Sequence, residues 1–201
     1  MSERTRIRIG RLLILAGTLF LTYWFAVRAD AWVFQSRMTR RLDAAASLRA
    51  ASGDRAHESR GDAADMAGLI GRIEIPRLRL SALVLEGTAE RTLRRGVGHV
   101  ERTALPGESG NVGLAAHRDT YFGKLAGVSN GDLIVIRTPE GSFTYRVDST
   151  LVVPPDRGDL LEEGGQATLT LVTCYPFHWI GPAPQRFVVR ARRVESPSPQ
   201  S

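Results

Sequence analysis

The chain of 201 residues has one cysteine, one lysine and no internal repeat. A single cysteine, Cys174, excludes an intramolecular disulfide framework and any metal site made of several thiolates. Lys124 is the only lysine, so nearly all the positive charge is carried by arginine. No cluster of acidic residues marks a calcium site. The net charge of +6 lies wholly in the N-terminal third: residues 1–60 hold 11 Arg against 5 Asp and Glu, leaving 16 residues of each sign for the remainder. That neutral remainder lacks the basic face that nucleic-acid binding needs. No nucleic-acid partner is expected.

Charge is absent from one stretch altogether. Residues 1–11, MSERTRIRIGR, are basic, and 12–27, LLILAGTLFLTYWFAV, are uncharged. As a helix, 12–27 extends about 24 Å, a little under the ~30 Å of a bilayer core. Arg11 and Arg28 can snorkel, and Tyr23 and Trp24 suit the interface. No small-x-small cleavage site follows directly, and the run is long for a signal-peptide core. The segment reads as a retained, single-pass signal-anchor. Arg4, Arg6, Arg8 and Arg11 favour the N-terminus inside, although Arg28, Arg37, Arg40 and Arg41 weaken that asymmetry. The expected location is the cytoplasmic (inner) membrane, with the rest of the chain on its outer side. Residues 28–68 read as a linker. Phe34, Met38, Leu42 and Ala46 recur every four positions, so 30–50 is expected to be helical. Residues 51–67 are Gly/Asp/Ser-rich and read as flexible. His57 there is expected to be a solvated histidine.

From Leu69 the pattern changes to short alternating runs separated by turn residues. Strands are expected over 69–75, 78–86, 96–100, 111–117, 133–138, 142–153, 167–174 and 186–194. One or two helical turns are expected over 88–96, and a short helix over 121–128. About eight strands with short helices imply a mainly β fold, a closed barrel or a sandwich. The tail 196–201 is expected to be disordered.

Cys174 ends the strand ATLTLVTC. Leu169, Leu171 and Thr173 point one way, and Thr170, Val172 and Cys174 the other. Tyr175 and Pro176 then take the chain out of the ladder. Such a thiol is either a nucleophile at a sheet rim or a small buried apolar residue. His117 ends the apolar run NVGLAAH in the same manner; it is either an acid–base group or a histidine bonded to a loop carbonyl. His99 and His178 are rival bases. Arg186 opens the last strand and offers five donors to an anion. Arg190, four residues on, is its rival on the same face.

These residues stand in the order strand–His117, strand–Cys174, loop, Arg186–strand. In that order the chain from about Leu69 to Val194 resembles the sortases, membrane-anchored cysteine transpeptidases, and most of all their class D. TLVTC at 170–174 fits the family's Thr-Leu-x-Thr-Cys motif. LAAHRDTYF resembles its histidine segment, with Ala116 where glycine is common. RFVVRA resembles the segment that begins with its essential arginine.

The resemblance implies an eight-stranded β-barrel over 69–195. It implies cleavage of a Leu-Pro-x-Thr-Gly-like C-terminal sorting signal on a protein substrate, through a Cys174 thioester. The acyl group then passes to an amine of the cell-wall or pilin type, or to water. His117 is the implied general acid/base, and Arg186 holds substrate and oxyanion. Tyr175 supplies a second donor from its backbone N–H, and Thr173 helps line the site. Asp119 is a candidate to orient His117. A Cys–His pair titrates as a unit, so activity should trace a bell against pH. No cofactor and no metal is implied, although some relatives use calcium. The apolar segment LVVPPDRGDLLEEGG (151–165) is placed to wall a groove for an extended peptide. An L,D-transpeptidase would need a His-Gly-Cys type motif, which LVTCYPF lacks. The alternative from a different class is a catalytically inactive, membrane-tethered β-domain that binds a protein partner.

Overall fold

The computed structural model describes residues 11–25, 29, 33, 35–37, 39–40, 68–162 and 165–194. The linker expected over 51–67, with His57, and the tail 196–201 lie outside these residues.

Residues 11–25 are helical. Leu12, Leu13, Ile14, Leu15, Leu19, Phe20 and Phe25 are all exposed on that helix. Among the described residues no helix is long and apolar enough to cross a membrane. The span expected over 12–27 is therefore not established by the fold. Fourteen uncharged residues, 12–25, extend only about 21 Å as a helix.

The eight strands are β1 (Leu69–Ile75), β2 (Leu80–Glu86), β3 (Val97–His99), β4 (Asn111–Ala115), β5 (Leu133–Thr138), β6 (Gly141–Val153), β7 (Thr168–Tyr175) and β8 (Gln185–Val194). They close into a barrel in the order β1-β2-β3-β4-β7-β8-β6-β5. Of the two outcomes the alternating runs allowed, the barrel is the one found. The chemistry of the termini sets the strand ends. Pro76 brings no N–H, so β1 stops at Ile75 and a 3-10 turn, Pro76–Leu78, follows. Arg79 then takes a left-handed conformation (φ 49°) that returns the chain into β2, two residues later than the sequence pattern implies.

Six strand pairs are antiparallel; β2–β3 and β4–β7 are parallel. A parallel pair needs a crossover. For β2–β3 it is the short helix Glu90–Arg95. For β4–β7 it is the long excursion through β5 and β6, so β4 and β7 run side by side and end at the same rim.

The interior is filled by one apolar cluster. Ile73, Ile75, Leu114, Ile134, Ile136, Tyr145, Leu169, Leu171 and Val189 belong to it, joined by Phe122 and Leu125 from the 3-10 segment Tyr121–Gly127. That segment is 3-10 along its length, where the sequence suggested a short helix. Gln35, in the N-terminal helical part, donates to the Arg95 carbonyl (2.6 Å) and accepts from the Leu83 N–H (3.1 Å). This contact docks that part against the helix beside β3.

One ion pair ties the β1–β2 turn to the start of β5. Asp132 is buried and receives the Arg77 guanidinium through Nε and Nη2, and the Ser129 N–H at 2.9 Å. Chiefly through the Arg77 bonds, the Asp132 carboxyl is held below the usual carboxylate range, against the opposing effect of burial. A lowered native pKa contributes stability above the unfolded value of about 4, lost as pH falls through the native value. Asp132→Asn is expected to cost about 1–2 kcal/mol at pH 7, the lower part of the range for a charged bond because Arg77 is half exposed. The deficit should shrink below about pH 4. Denaturant melts of both proteins across pH 3–7 check this.

Candidate active site

The site is a row across three adjacent strands. β4 and β7 pair in parallel, with Ala115 level with Val172. At the end of β4 the Ala116 N–H donates to the Val172 carbonyl (3.3 Å), completing the Ala115–Val172 pair, and the Thr173 hydroxyl donates to the Ala116 carbonyl (2.8 Å). His117 follows two residues beyond Ala115, at the rim where Cys174 stands near the end of β7. On the other side, the antiparallel β7–β8 register sets Cys174 opposite Arg186. Residues level with each other in a ladder share a face. Strands lie about 4.8 Å apart, so Arg186 flanks Cys174 at that spacing on β8, and the continuation of β4 that carries His117 lies on the other side of β7.

Alternation decides which face this is. Leu169, Leu171 and Thr173 are buried toward the core, so Thr170, Val172 and Cys174 face away from it. Cys174 is half-buried, not part of the core cluster. Below it, inward-facing rings hold the strand end. Tyr175 stacks on Phe187 (6.2 Å, 25°), and Phe177 meets both edge-on (5.9 and 5.2 Å). The Tyr175–Pro176 peptide is cis.

His117 lies two residues past the end of β4, where the sequence pattern carried the strand up to it. Its backbone is nevertheless pinned. Its carbonyl accepts the N–H of Phe122 (3.2 Å), a fully buried residue. The imidazole is partly exposed, and its Nε2 lies 3.6 Å from Glu90 Oε2 on the short helix. Glu90 is shared, since its Oε1 accepts from Arg94 Nε at 3.0 Å. Asp119 is exposed, and among the described residues the carboxylate paired with His117 is that of Glu90. No sequence signal pointed to Glu90, which lies 27 residues upstream in a helical turn.

Arg186 Nη1 donates to the carbonyls of Ala183 (3.3 Å) and Gln185 (3.0 Å). The guanidinium is thus folded against its own loop, and Nε and Nη2 have no partner among the described residues. Arg190 is engaged elsewhere: it is level with Thr170 and donates to the Leu160 carbonyl at 3.4 Å. The same carbonyl accepts Asn111 Nδ2 (3.1 Å). These bonds seat the 3-10 turn Gly158–Leu161 of the β6–β7 loop on the face that carries Cys174. Gly113 lets it come close, because a Cβ there would sit 3.0 Å from the Leu161 side chain. The apolar segment after β6 therefore bounds the strip leading up to Cys174.

The rival histidines separate clearly. His99 is buried, with Nδ1 on Glu86 (3.1 Å) and Nε2 near the Ala104 carbonyl and the Thr103 hydroxyl (both 3.0 Å). His178 is exposed in the loop after β7. Thr173 and Tyr175 both lie on the inward side, and the Thr173 hydroxyl is committed to the Ala116 carbonyl.

A half-buried thiol between an imidazole and a guanidinium has the parts for acyl transfer: a nucleophile, a proton carrier and a cation for an oxyanion. Comparison with known proteins bears on the same stretch. The sortase domain family matches residues 73–194. Sortase D of Bacillus subtilis (strain 168) is 34% identical over 125 residues, 62% of this chain and 63% of that protein. The match thus spans under two thirds of that relative's length. Among solved structures, Streptococcus agalactiae sortase C1, in complex with MTSET, superposes with a TM-score of 0.61 at 31% identity, over 83% of this chain and 93% of that one. Clostridium perfringens sortase C, solved with the C-terminal cell wall sorting motif, gives 0.59 at 31% identity, over 65% and 72%. With the family matched over most of its barrel and the row of His117, Cys174 and Arg186 falling inside that stretch, the chain belongs to the sortase family.

Proposed function

We propose that the chain is a cysteine transpeptidase acting on a C-terminal sorting signal of the Leu-Pro-x-Thr-Gly type. The observation that carries this is the register of β4, β7 and β8: Cys174 pairs with Arg186, and His117 follows two residues after Ala115, which pairs with Val172. Cys174 Sγ attacks the carbonyl carbon of the Thr–Gly bond, and the carbonyl oxygen takes the negative charge. Arg186, with the Tyr175 N–H, stabilises that oxyanion. The C–N bond then breaks; His117 gives its proton to the departing glycine amine, leaving a thioester on Cys174. An incoming amine attacks the thioester, His117 takes its proton, and Cys174 leaves as thiolate. Water in place of the amine gives hydrolysis. Groups of the chain itself carry every step, so the reaction as written calls on no cofactor. The β6–β7 loop wall and the half-buried apolar pair Ala115 and Val172 suit a Leu-Pro segment. The neighbouring sortase C solved with a sorting motif supports this substrate class.

The test is mass spectrometry of the chain after incubation with a Leu-Pro-Ala-Thr-Gly peptide. The expected product is a single adduct of the peptide's acyl part on Cys174. No adduct with this or a library of related peptides would leave the inactive binding domain as the better reading.

The chain is also proposed to be held at the cytoplasmic membrane by its N-terminal segment, catalytic barrel outward. The apolar helix over 11–25 is exposed along its length, and its two threonine hydroxyls are satisfied within it. Thr18 donates to the Ile14 carbonyl (2.8 Å) and Thr22 to the Thr18 carbonyl (3.0 Å). The full chain is expected to stay with the membrane fraction through a carbonate wash, and recovery in the soluble fraction would overturn the assignment.

A further inference from the structure

The segment joining Cys174 to Arg186 is irregular from Pro176 to Pro184. Three of its residues, Pro176, Pro182 and Pro184, bring no N–H. Its tip is not held by burial: Trp179 is 50% and Ile180 96% exposed. Inside the segment, the Trp179 N–H reaches the Pro176 carbonyl (3.3 Å) and the indole N–H the Pro182 carbonyl (3.0 Å). From outside it, among the described residues, two side chains make hydrogen bonds to it: Arg186, which follows it in the chain and donates to Ala183, and one from a distant strand end. The distant one is Arg118. Its Nη2 donates to the carbonyls of Trp179 (2.8 Å) and Gly181 (2.9 Å).

Arg118 is the residue after His117. One guanidinium nitrogen thus ties the histidine end of the row to the loop that separates the other two members. The chain of bonds continues from there, since the Arg186 guanidinium rests on Ala183 of the same loop. We propose that Arg118 is a positioning residue: it clamps the Cys174–Arg186 loop to the His117 segment and so holds in place the guanidinium of Arg186, whose backbone the strand register already sets opposite Cys174. Two bonds from a charged donor are the strong kind, and here they replace the apolar contacts the tip does not make. Nη1 of Arg118 is buried without an acceptor, so both bonds depend on one nitrogen. A lysine, with one donor nitrogen, can therefore stand in for much of the clamp.

This inference rests on the transpeptidase reading for its catalytic arm alone. The experiment uses the full chain as wild type, Arg118→Ala and Arg118→Lys. Hydrogen–deuterium exchange of the peptide over 176–186 is measured beside the rate of Cys174 acylation by the Leu-Pro-Ala-Thr-Gly peptide. In Arg118→Ala, exchange within 177–183 should quicken about tenfold or more while the core strands stay protected. Acylation at saturating peptide should fall about 10–100-fold, with half-saturation changed by under about twofold, as expected for a misplaced group that does not bind substrate. Arg118→Lys should recover both readouts to within about fivefold of wild type.

Unchanged loop exchange in Arg118→Ala overturns the clamp. Faster loop exchange with unchanged acylation overturns its role in setting Arg186. Faster exchange through the whole barrel overturns both, by making Arg118 a general stability residue. If Arg118→Ala does not fold, Arg118→Gln takes its place under the same criteria. A wild type that forms no adduct counts against the transpeptidase reading, and the exchange data still decide the clamp.

Discussion

Cys174→Ala is expected to abolish the acyl adduct and to lower turnover roughly 10⁴-fold or more, the scale seen when a covalent nucleophile is removed. The fold should hardly notice. Cys174 is half-buried, lies on the face away from the core cluster and is the last residue but one of β7. Truncating it removes one sulfur from a rim, not from the packed interior, so the cost should stay below about 1 kcal/mol. Two measurements check this: an intact-mass adduct assay, and denaturant unfolding of both proteins. The inactive-binder reading predicts the reverse, with no adduct on wild type and no change on substitution. Since Cys174 is the only cysteine, any adduct that Cys174→Ala retains must come from other chemistry, and the mechanism fails.

Arg186→Gln should cost about 10²–10³-fold in kcat, the range for removing one donor to a developing oxyanion. The half-saturation concentration should move much less, because the lost interaction is strongest in the transition state. Arg190→Gln is the internal control. It stands on the same face four residues along, but its bond goes to Leu160 in the β6–β7 loop. Its loss should loosen the groove wall and raise KM, leaving kcat within about threefold. Steady-state kinetics of the two variants separates the roles; equal falls in kcat would remove the distinction between them. A lysine at 186 is not expected to restore the rate, since an ammonium lacks the planar, multi-donor fork.

The chain's own letters carried much of this. Alternation in LIGRIEI, LIVIRT and ATLTLVTC named strands that the structure places within a residue or so, because inward and outward positions differ in apolar content at a period of two. The same alternation assigned Leu169, Leu171 and Thr173 to one face and Cys174 to the other, as found. Proline and glycine marked the turns. The 3-10 geometry of Tyr121–Gly127 was not legible, because Phe122 and Leu125 are buried either way and an apolar pair three apart fits both helices.

What a period of two cannot contain is register between distant strands. That β4 lies beside β7, 57 residues on, is settled by the long crossover through β5 and β6 and by closure of the barrel, so the placing of Cys174 between the end of β4 and Arg186 exists only in the folded chain. The same holds for the neighbours of the row. Glu90 reaches His117 from a helix set by the β2–β3 crossover, and Arg118 meets the carbonyls of Trp179 and Gly181, which are backbone atoms with no residue signature. The sequence by itself determined the residue types and the face each strand presents, because side-chain chemistry and pleat are local. Tertiary structure alone decided where the three described histidines and the arginines stand relative to the thiol, because only closure of the barrel relates one strand to another.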